Sequence, residues 1–81
     1  LKLYGNRVGD RGAQVLARSA ALSGLLELDL SGSRVGDAGA VALAESPHLG
    51  GLLFLNLLDE PLGPRAAGAL RERFGERARF K

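Results

Sequence analysis

Few side chains in this sequence of 81 residues have the chemistry that catalysis needs. It contains one histidine, His48, and no cysteine, so no nucleophile–base–orienter set and no paired His or Cys ligands can be assembled. Asp59 and Glu60 are adjacent carboxylates, but acid–base or magnesium chemistry needs a partner across a cleft, and none is evident. We therefore predict a solvated turn at this pair, an exposed loop position for His48, and a non-enzymatic chain without metal or cofactor.

Two glycine-rich segments, 9–12 and 36–39, invite comparison with phosphate-binding loops. The lysine and the serine or threonine of such loops do not follow at the required spacing. The two segments also occupy equivalent places in a longer repeat of the sequence, and this recurrence favours a structural role.

The whole sequence is built from three similar segments, 1–27, 28–54 and 55–81. The first two are identical at 16 of 27 positions, and the main leucines recur in the third. Leu28 and Leu30 alternate with polar residues, which is typical of a strand with one buried face. Apolar residues at spacings of three and four then predict a short amphipathic helix. The sequence thus predicts an α/β fold built from three strand–helix units.

The start of each predicted helix carries its own signal. Asp10 and Asp37 are predicted N-caps, because a carboxylate accepts the free N–H groups of a first turn. Pro64 takes this place in the third unit, where its missing N–H would have no intrahelical partner.

These units resemble leucine-rich repeats. Residues 25–35 are similar to the pattern LxxLxLxxNxL, and residues 36–44 are similar to the helical half of the ribonuclease-inhibitor-like subclass. The resemblance covers essentially the whole chain and implies a horseshoe solenoid, with parallel strands on the concave face and helices on the convex face. The sequence departs from the pattern at the asparagine position, where Asn6 is followed by Ser33 and Glu60.

The two ends of the sequence differ. Leu1 already occupies a strand position of the repeat, which predicts a part of a longer solenoid whose uncapped N-terminal edge leaves it marginally folded or self-associating. Residues 71–81 alternate charged residues with Phe and Ala and predict a C-terminal cap. Large bacterial leucine-rich repeat proteins often end in a run similar to residues 71–75, which indicates a bacterial source.

The charge distribution is uneven. Residues 1–63 hold five Lys or Arg and seven Asp or Glu, a net charge of −2, whereas residues 64–81 hold six and two, a net charge of +4. The basic end has no aromatic stacking platform and no nucleic-acid motif, so we predict a solvated cap and no nucleic-acid partner. No apolar run is long enough for a membrane span and no signal peptide is evident, so we predict no membrane association and a cytoplasmic location.

The side chains that alternate with the buried leucines are the candidate binding residues, since they would face the concave side. They include two of the four aromatic residues, and exposed aromatics flanked by charges are typical of a contact patch. Alternatively, two aromatics are exposed on this small surface by chance, or these rings only cover a gap left by missing repeats. The predicted partner-binding set is Lys2, Tyr4, Glu27, Asp29, Ser31, Phe54, Asn56 and Leu58.

The sequence favours a protein–protein interaction module that binds a protein partner on its concave sheet. A rigid curved sheet holds its side chains already ordered, which lowers the entropic cost of association. The alternative is a structural or regulatory repeat segment of a larger multidomain protein, acting in signalling or GTPase regulation.

Overall fold

Helices and strands alternate along the chain, as the spacing of its leucines predicts. The computed structural model describes residues 1–3 and 5–80, so Tyr4 of the predicted site and Lys81 lie outside the described residues. In chain order the elements are α1 (Gly9–Ala17), a 3₁₀ turn (Ala20–Leu22), β1 (Glu27–Asp29), α2 (Asp37–Glu45), β2 (Phe54–Asn56), α3 (Pro64–Phe74), a second 3₁₀ turn (Gly75–Arg77) and β3 (Ala78–Arg79).

The three strands form one parallel sheet in the order β1-β2-β3. Leu28 pairs with Leu55, one full period later, whereas Leu55 pairs with Ala78, which comes before the next period is complete. Lys2 forms a parallel bridge with Asp29, again one full period apart, which brings the first residues to the same sheet. The number of residues between paired positions is smaller for β2 and β3 than for β1 and β2, because α3 leads through a short 3₁₀ turn directly into β3. The predicted third unit therefore does not pair as a full copy of the first two.

The core lies between the sheet and the helices. Leu28, Leu30, Leu55 and Leu57 of the strand segments are fully buried and join one apolar cluster with residues of all three helices. Small alanines line the inner helix surfaces, which lets neighbouring helices approach closely, and α2 packs between α1 and α3. Among the described residues, the longest helix has 11 residues, and none of the helices has the length and apolar character needed to cross a bilayer.

Asp10 and Asp37 do not cap their own helices, so that prediction is wrong: neither α1 nor α2 has a side-chain cap bond. Asp10 Oδ1 instead accepts the N–H groups of Gly36, at 2.6 Å, and Gly39, at 2.8 Å, at the start of α2. Asp37 Oδ1 accepts the Gly63 N–H at 2.7 Å, just before α3. Each carboxylate caps the next helix and so links neighbouring units. We call this arrangement the interhelix cap.

Removal of the first interhelix cap is expected to destabilise the protein more than removal of the second. Asp10→Ala deletes two charge-assisted bonds in a partly buried site and should lower the free energy of unfolding by about 1–3 kcal/mol. Asp37→Ala deletes one such bond at an exposed site and should lower the free energy of unfolding by about 0.5–1 kcal/mol. Urea unfolding of both variants checks the order, and a larger loss from Asp37→Ala would contradict it.

Side chains at the asparagine position of the pattern also link neighbouring units. The Ser33 hydroxyl donates to the Leu3 carbonyl at 2.7 Å, and Glu60 Oε1 accepts the Ser33 N–H at 2.7 Å. Serine and glutamate thus replace asparagine without loss of the link to the preceding unit. Glu60 is only 3% exposed, so the predicted solvated turn is wrong for Glu60, whereas Asp59 is exposed as predicted.

Candidate protein-binding face

The sheet has one face away from the helices, which we call the open face. Successive strand residues point to opposite sides of a sheet, and the central leucine of β1 and of β2 points to the helices and is fully buried. The flanking residues therefore point outward, where they are exposed or half-buried. They form two rows across the strands, in which Glu27 lies beside Phe54 and Asp29 lies beside Asn56.

The second row extends over both neighbouring strand positions. Lys2 bridges to Asp29 on one side, and Arg79 pairs with Asn56 on the other. The row thus has a cation at each end and a carboxylate within it. The sequence prediction missed Arg79 because a constant period puts the position equivalent to Asn56 in the next unit beyond residue 81. The alternation of Ala78, Arg79 and Phe80 is the signal that could have found this strand.

An aromatic ring lies in the first row. Phe54 is half-buried, and the guanidinium carbon of Arg79 lies 5.9 Å from the centroid of its ring, within the range of a cation–π contact. The contact orients both side chains on the open face. Phe54 is thus a ring held in place among charged neighbours.

Two leucines at the start of the strands add apolar surface that the sequence prediction missed. Leu26 and Leu53 are 55% and 63% exposed, and the Leu53 N–H donates to the Leu26 carbonyl at 2.7 Å, so they lie side by side. Each follows another leucine, and two adjacent residues of an extended chain cannot both face the core. This doubling was the available signal. The two leucines form an exposed apolar pair at the start of β1 and β2.

Comparison with protein families agrees with this geometry. The family described as Leucine Rich repeat matches residues 1–17 and 24–44, which include α1, β1 and most of α2. This match supports a leucine-rich repeat protein. Searches of curated proteins and of solved structures return no match. Leucine-rich repeats generally mediate protein–protein interactions and are generally not enzymes.

Some predicted contact residues have a structural role in the turns that follow the strands. Asp29 Oδ1 accepts the Ser31 N–H at 3.0 Å and the Ser31 hydroxyl at 2.8 Å, and Asn56 Oδ1 accepts the Leu58 N–H at 3.0 Å. Each strand therefore ends in a turn fixed by its own last side chain. Ser31 and Leu58 lie in these turns, beyond the strands. Lys2 and Glu27 make no side-chain hydrogen bond to another described residue.

The contact between His48 and Ser23 does not form a catalytic pair. His48 is half-buried, which differs from the predicted exposed position, and its Nδ1 lies 3.5 Å from Ser23 Oγ. The Ser23 hydroxyl donates to the Ala20 carbonyl at 2.8 Å, so its proton is directed away from the imidazole. In the part of the chain that the structure describes, no group of three or more His, Asp or Glu residues could hold a metal ion.

Proposed function

We propose that this chain is part of a horseshoe leucine-rich repeat solenoid and that the open face is its concave face, which binds a protein partner. Phe54 is the observation that carries this proposal. Its ring is half-buried on the open face and oriented by Arg79, with Glu27 beside it. Aromatic and arginine side chains supply much of the energy of protein–protein interfaces, because they bury a large area with few rotatable bonds.

The restricted conformation of the residues around the open face supports the same proposal. The turns after β1 and β2 are fixed by Asp29 and Asn56, and the interhelix caps hold successive helices together. Less conformational freedom is then lost on association, which favours binding. The alternating charges of Lys2, Asp29 and Arg79 favour a partner surface of complementary charge pattern, which chiefly sets specificity and association rate.

We further propose that residues 1–81 form one segment of the ribonuclease-inhibitor-like subclass, with units 1–27, 28–54 and 55–81, in a cytoplasmic bacterial protein. Its last unit acts as a C-terminal cap. Phe74 is 2% exposed at that end of the core, and the Arg73 guanidinium donates to the Ala44 carbonyl at 2.8 Å. The buried ring of Phe74 and the exposed charges of Arg71 and Glu72 support this role, because a terminal repeat must close the core and still face water.

The binding proposal is tested with a triple variant of the open face. Lys2, Glu27 and Phe54 are changed to alanine, whereas Asp29 is kept because its carboxylate holds a turn. The partner is first captured from a lysate of the source cells and identified, and its affinity for the purified chain is then measured by calorimetry. We expect the triple variant to bind at least about 30-fold more weakly, since a hot-spot residue is worth about 2 kcal/mol or more.

The matched control changes three exposed charged residues outside the open face, Arg11, Arg18 and Glu45, to alanine. This control should keep the affinity of the unmodified chain. Circular dichroism spectra of both triple variants should match that of the parent. Equal losses of affinity in the two variants would contradict the assignment of the concave face.

A further inference from the structure

A pocket of about 330 Å³ lies beyond the ends of β1 and β2, between the loops that lead from these strands to α2 and α3. Its walls come from residues 10–61 and lie outside the strand rows that carry the proposed function. Asp10, Asp59 and Glu60 line it with three carboxylates, and Arg34 is the one basic residue among those that line it. The pocket therefore has an excess of negative charge.

Glu60 has a carboxylate oxygen that no described residue satisfies. The residue is 3% exposed, and its Oε1 accepts the Ser33 N–H at 2.7 Å. Its Oε2 is buried and has no hydrogen-bond partner among the described residues. A buried carboxylate is costly unless donors or a cation offset its charge. Because Oε2 lies below the surface, a cation in the pocket would offset this charge by electrostatic attraction through the protein interior.

The other two carboxylates of the pocket are placed to contact a cation directly. Asp59 is exposed. Asp10 accepts both bonds of the interhelix cap with Oδ1, so Oδ2 is the oxygen left to a ligand. Among the described residues, no group of three acidic side chains could hold a metal ion. This favours a cation that is larger than a metal ion and carries several donors.

We propose that this pocket binds an arginine side chain of a protein partner. A guanidinium has five N–H donors in one plane and can bond to carboxylates that lie apart, whereas the ammonium of lysine is a compact, strongly hydrated charge. The guanidinium donates to Asp10 and Asp59, and its charge offsets that of Glu60. Its apolar stem packs against Pro61, which is exposed at the pocket. Arg34 repels such a ligand and so limits its affinity.

The probe is the tripeptide acetyl-Gly-Arg-Gly-amide, and its matched control has citrulline, a neutral side chain of nearly the same shape, in place of arginine. Each peptide is added to the 81-residue chain while ¹⁵N–¹H NMR spectra are recorded. The arginine peptide should shift the amide signals of Gly32 and Gly36, which line the pocket, with a dissociation constant of about 1 mM. The citrulline peptide should shift neither signal, and a lysine peptide should bind several-fold more weakly.

Two matched variants test the exposed carboxylate. Asp59→Asn should weaken binding of the arginine peptide by about tenfold, since it removes a charge-assisted bond. Asn is among the side chains that best tolerate the positive φ of 67° at this position, so the turn is retained. Glu45→Gln should leave the affinity unchanged, because Glu45 is exposed on α2 but does not line the pocket.

Two further variants test the buried charge and the competing cation. Glu60→Gln removes the charge but keeps an oxygen that can accept the Ser33 N–H, and it should weaken binding by about tenfold. Arg34→Gln should strengthen binding several-fold. The spectrum of each variant also shows whether the chain is folded. The triple variant of the open face should bind the arginine peptide as the parent does, so this proposal and the proposed function can fail separately.

Four outcomes would overturn the proposal. These are equal binding of the arginine and citrulline peptides, equal binding of the arginine and lysine peptides, equal effects of Asp59→Asn and Glu45→Gln, and displacement of the arginine peptide by calcium at lower concentration. The calcium result would assign the pocket to a metal ion. The citrulline comparison leaves the protein unchanged, so its result does not depend on the folding of a variant.

Discussion

Gly39→Ala is expected to lower the free energy of unfolding by about 2–4 kcal/mol, although alanine is the better helix former. A Cβ atom at position 39 would lie 2.7 Å from Asp10 Oδ1, 2.9 Å from Val35 Cγ1 and 3.0 Å from Ala13 Cβ. Both apolar neighbours belong to a closely packed region, so they have little room to move. The remaining response is displacement of Asp10, and that carboxylate caps α2. The substitution therefore combines overpacking with loss of the interhelix cap.

The matched control is Gly68→Ala in the interior of α3. Apart from its chain neighbours and the backbone of its own helix, no heavy atom of the described residues lies within 4 Å of a Cβ atom built at this position, and Gly68 is exposed. Alanine should therefore stabilise the protein by about 0.5–1 kcal/mol, as its helix propensity alone predicts. Urea unfolding followed by far-ultraviolet circular dichroism measures both variants. If the free energy of unfolding changed in the same direction in both variants, the close approach of neighbouring units would not explain why position 39 requires glycine.

The same residues show which parts of the fold the sequence could predict. Alternating leucines in one segment determine which strand face is buried, and Leu28 and Leu55 are fully buried as expected. The partner of Asp10 was harder to predict, because a carboxylate can cap its own helix or the next one. Only the distance between neighbouring units, short enough for Asp10 Oδ1 to reach Gly36 and Gly39, decides between them.

The candidate site was predictable to a similar extent. Glu27 and Phe54 flank the buried leucines of β1 and β2 in the structure, and their role in binding stays a prediction. The alternation of residues along a strand does not show which side chains form hydrogen bonds. The sequence therefore could not show that Asp29 holds a turn with Ser31 and is not a free contact residue. Arg79 was missed for another reason, since its strand follows a shorter connection than a constant period allows.

Leu30→Ala is expected to have the other large effect on stability, a loss of about 2–5 kcal/mol. Leu30 is fully buried and directly follows β1. Its N–H donates to the Asn56 carbonyl of the following unit at 2.8 Å, and the N–H of the preceding residue, Asp29, donates to the Leu1 carbonyl of the preceding unit at 2.8 Å. Leu30 therefore lies between two neighbouring units. Alanine would leave a cavity that those neighbours cannot easily fill. A chain of 81 residues has a total stability of about 4–12 kcal/mol, so this single loss is a large fraction of it.

The control for Leu30→Ala is Leu3→Ala, which truncates the equivalent leucine of the preceding unit. Leu3 is half-buried, and its N–H donates to the Asp29 carbonyl at 2.8 Å, so its strand contacts a described neighbour on one side only. Less apolar surface is lost to water on truncation, and we expect a cost of about 1–2 kcal/mol. In stacked units each buried leucine is stabilised by the unit on either side, and the two variants should therefore differ by roughly a factor of two. A loss from Leu3→Ala as large as that from Leu30→Ala, measured by urea unfolding, would show that the units do not stabilise each other in this way.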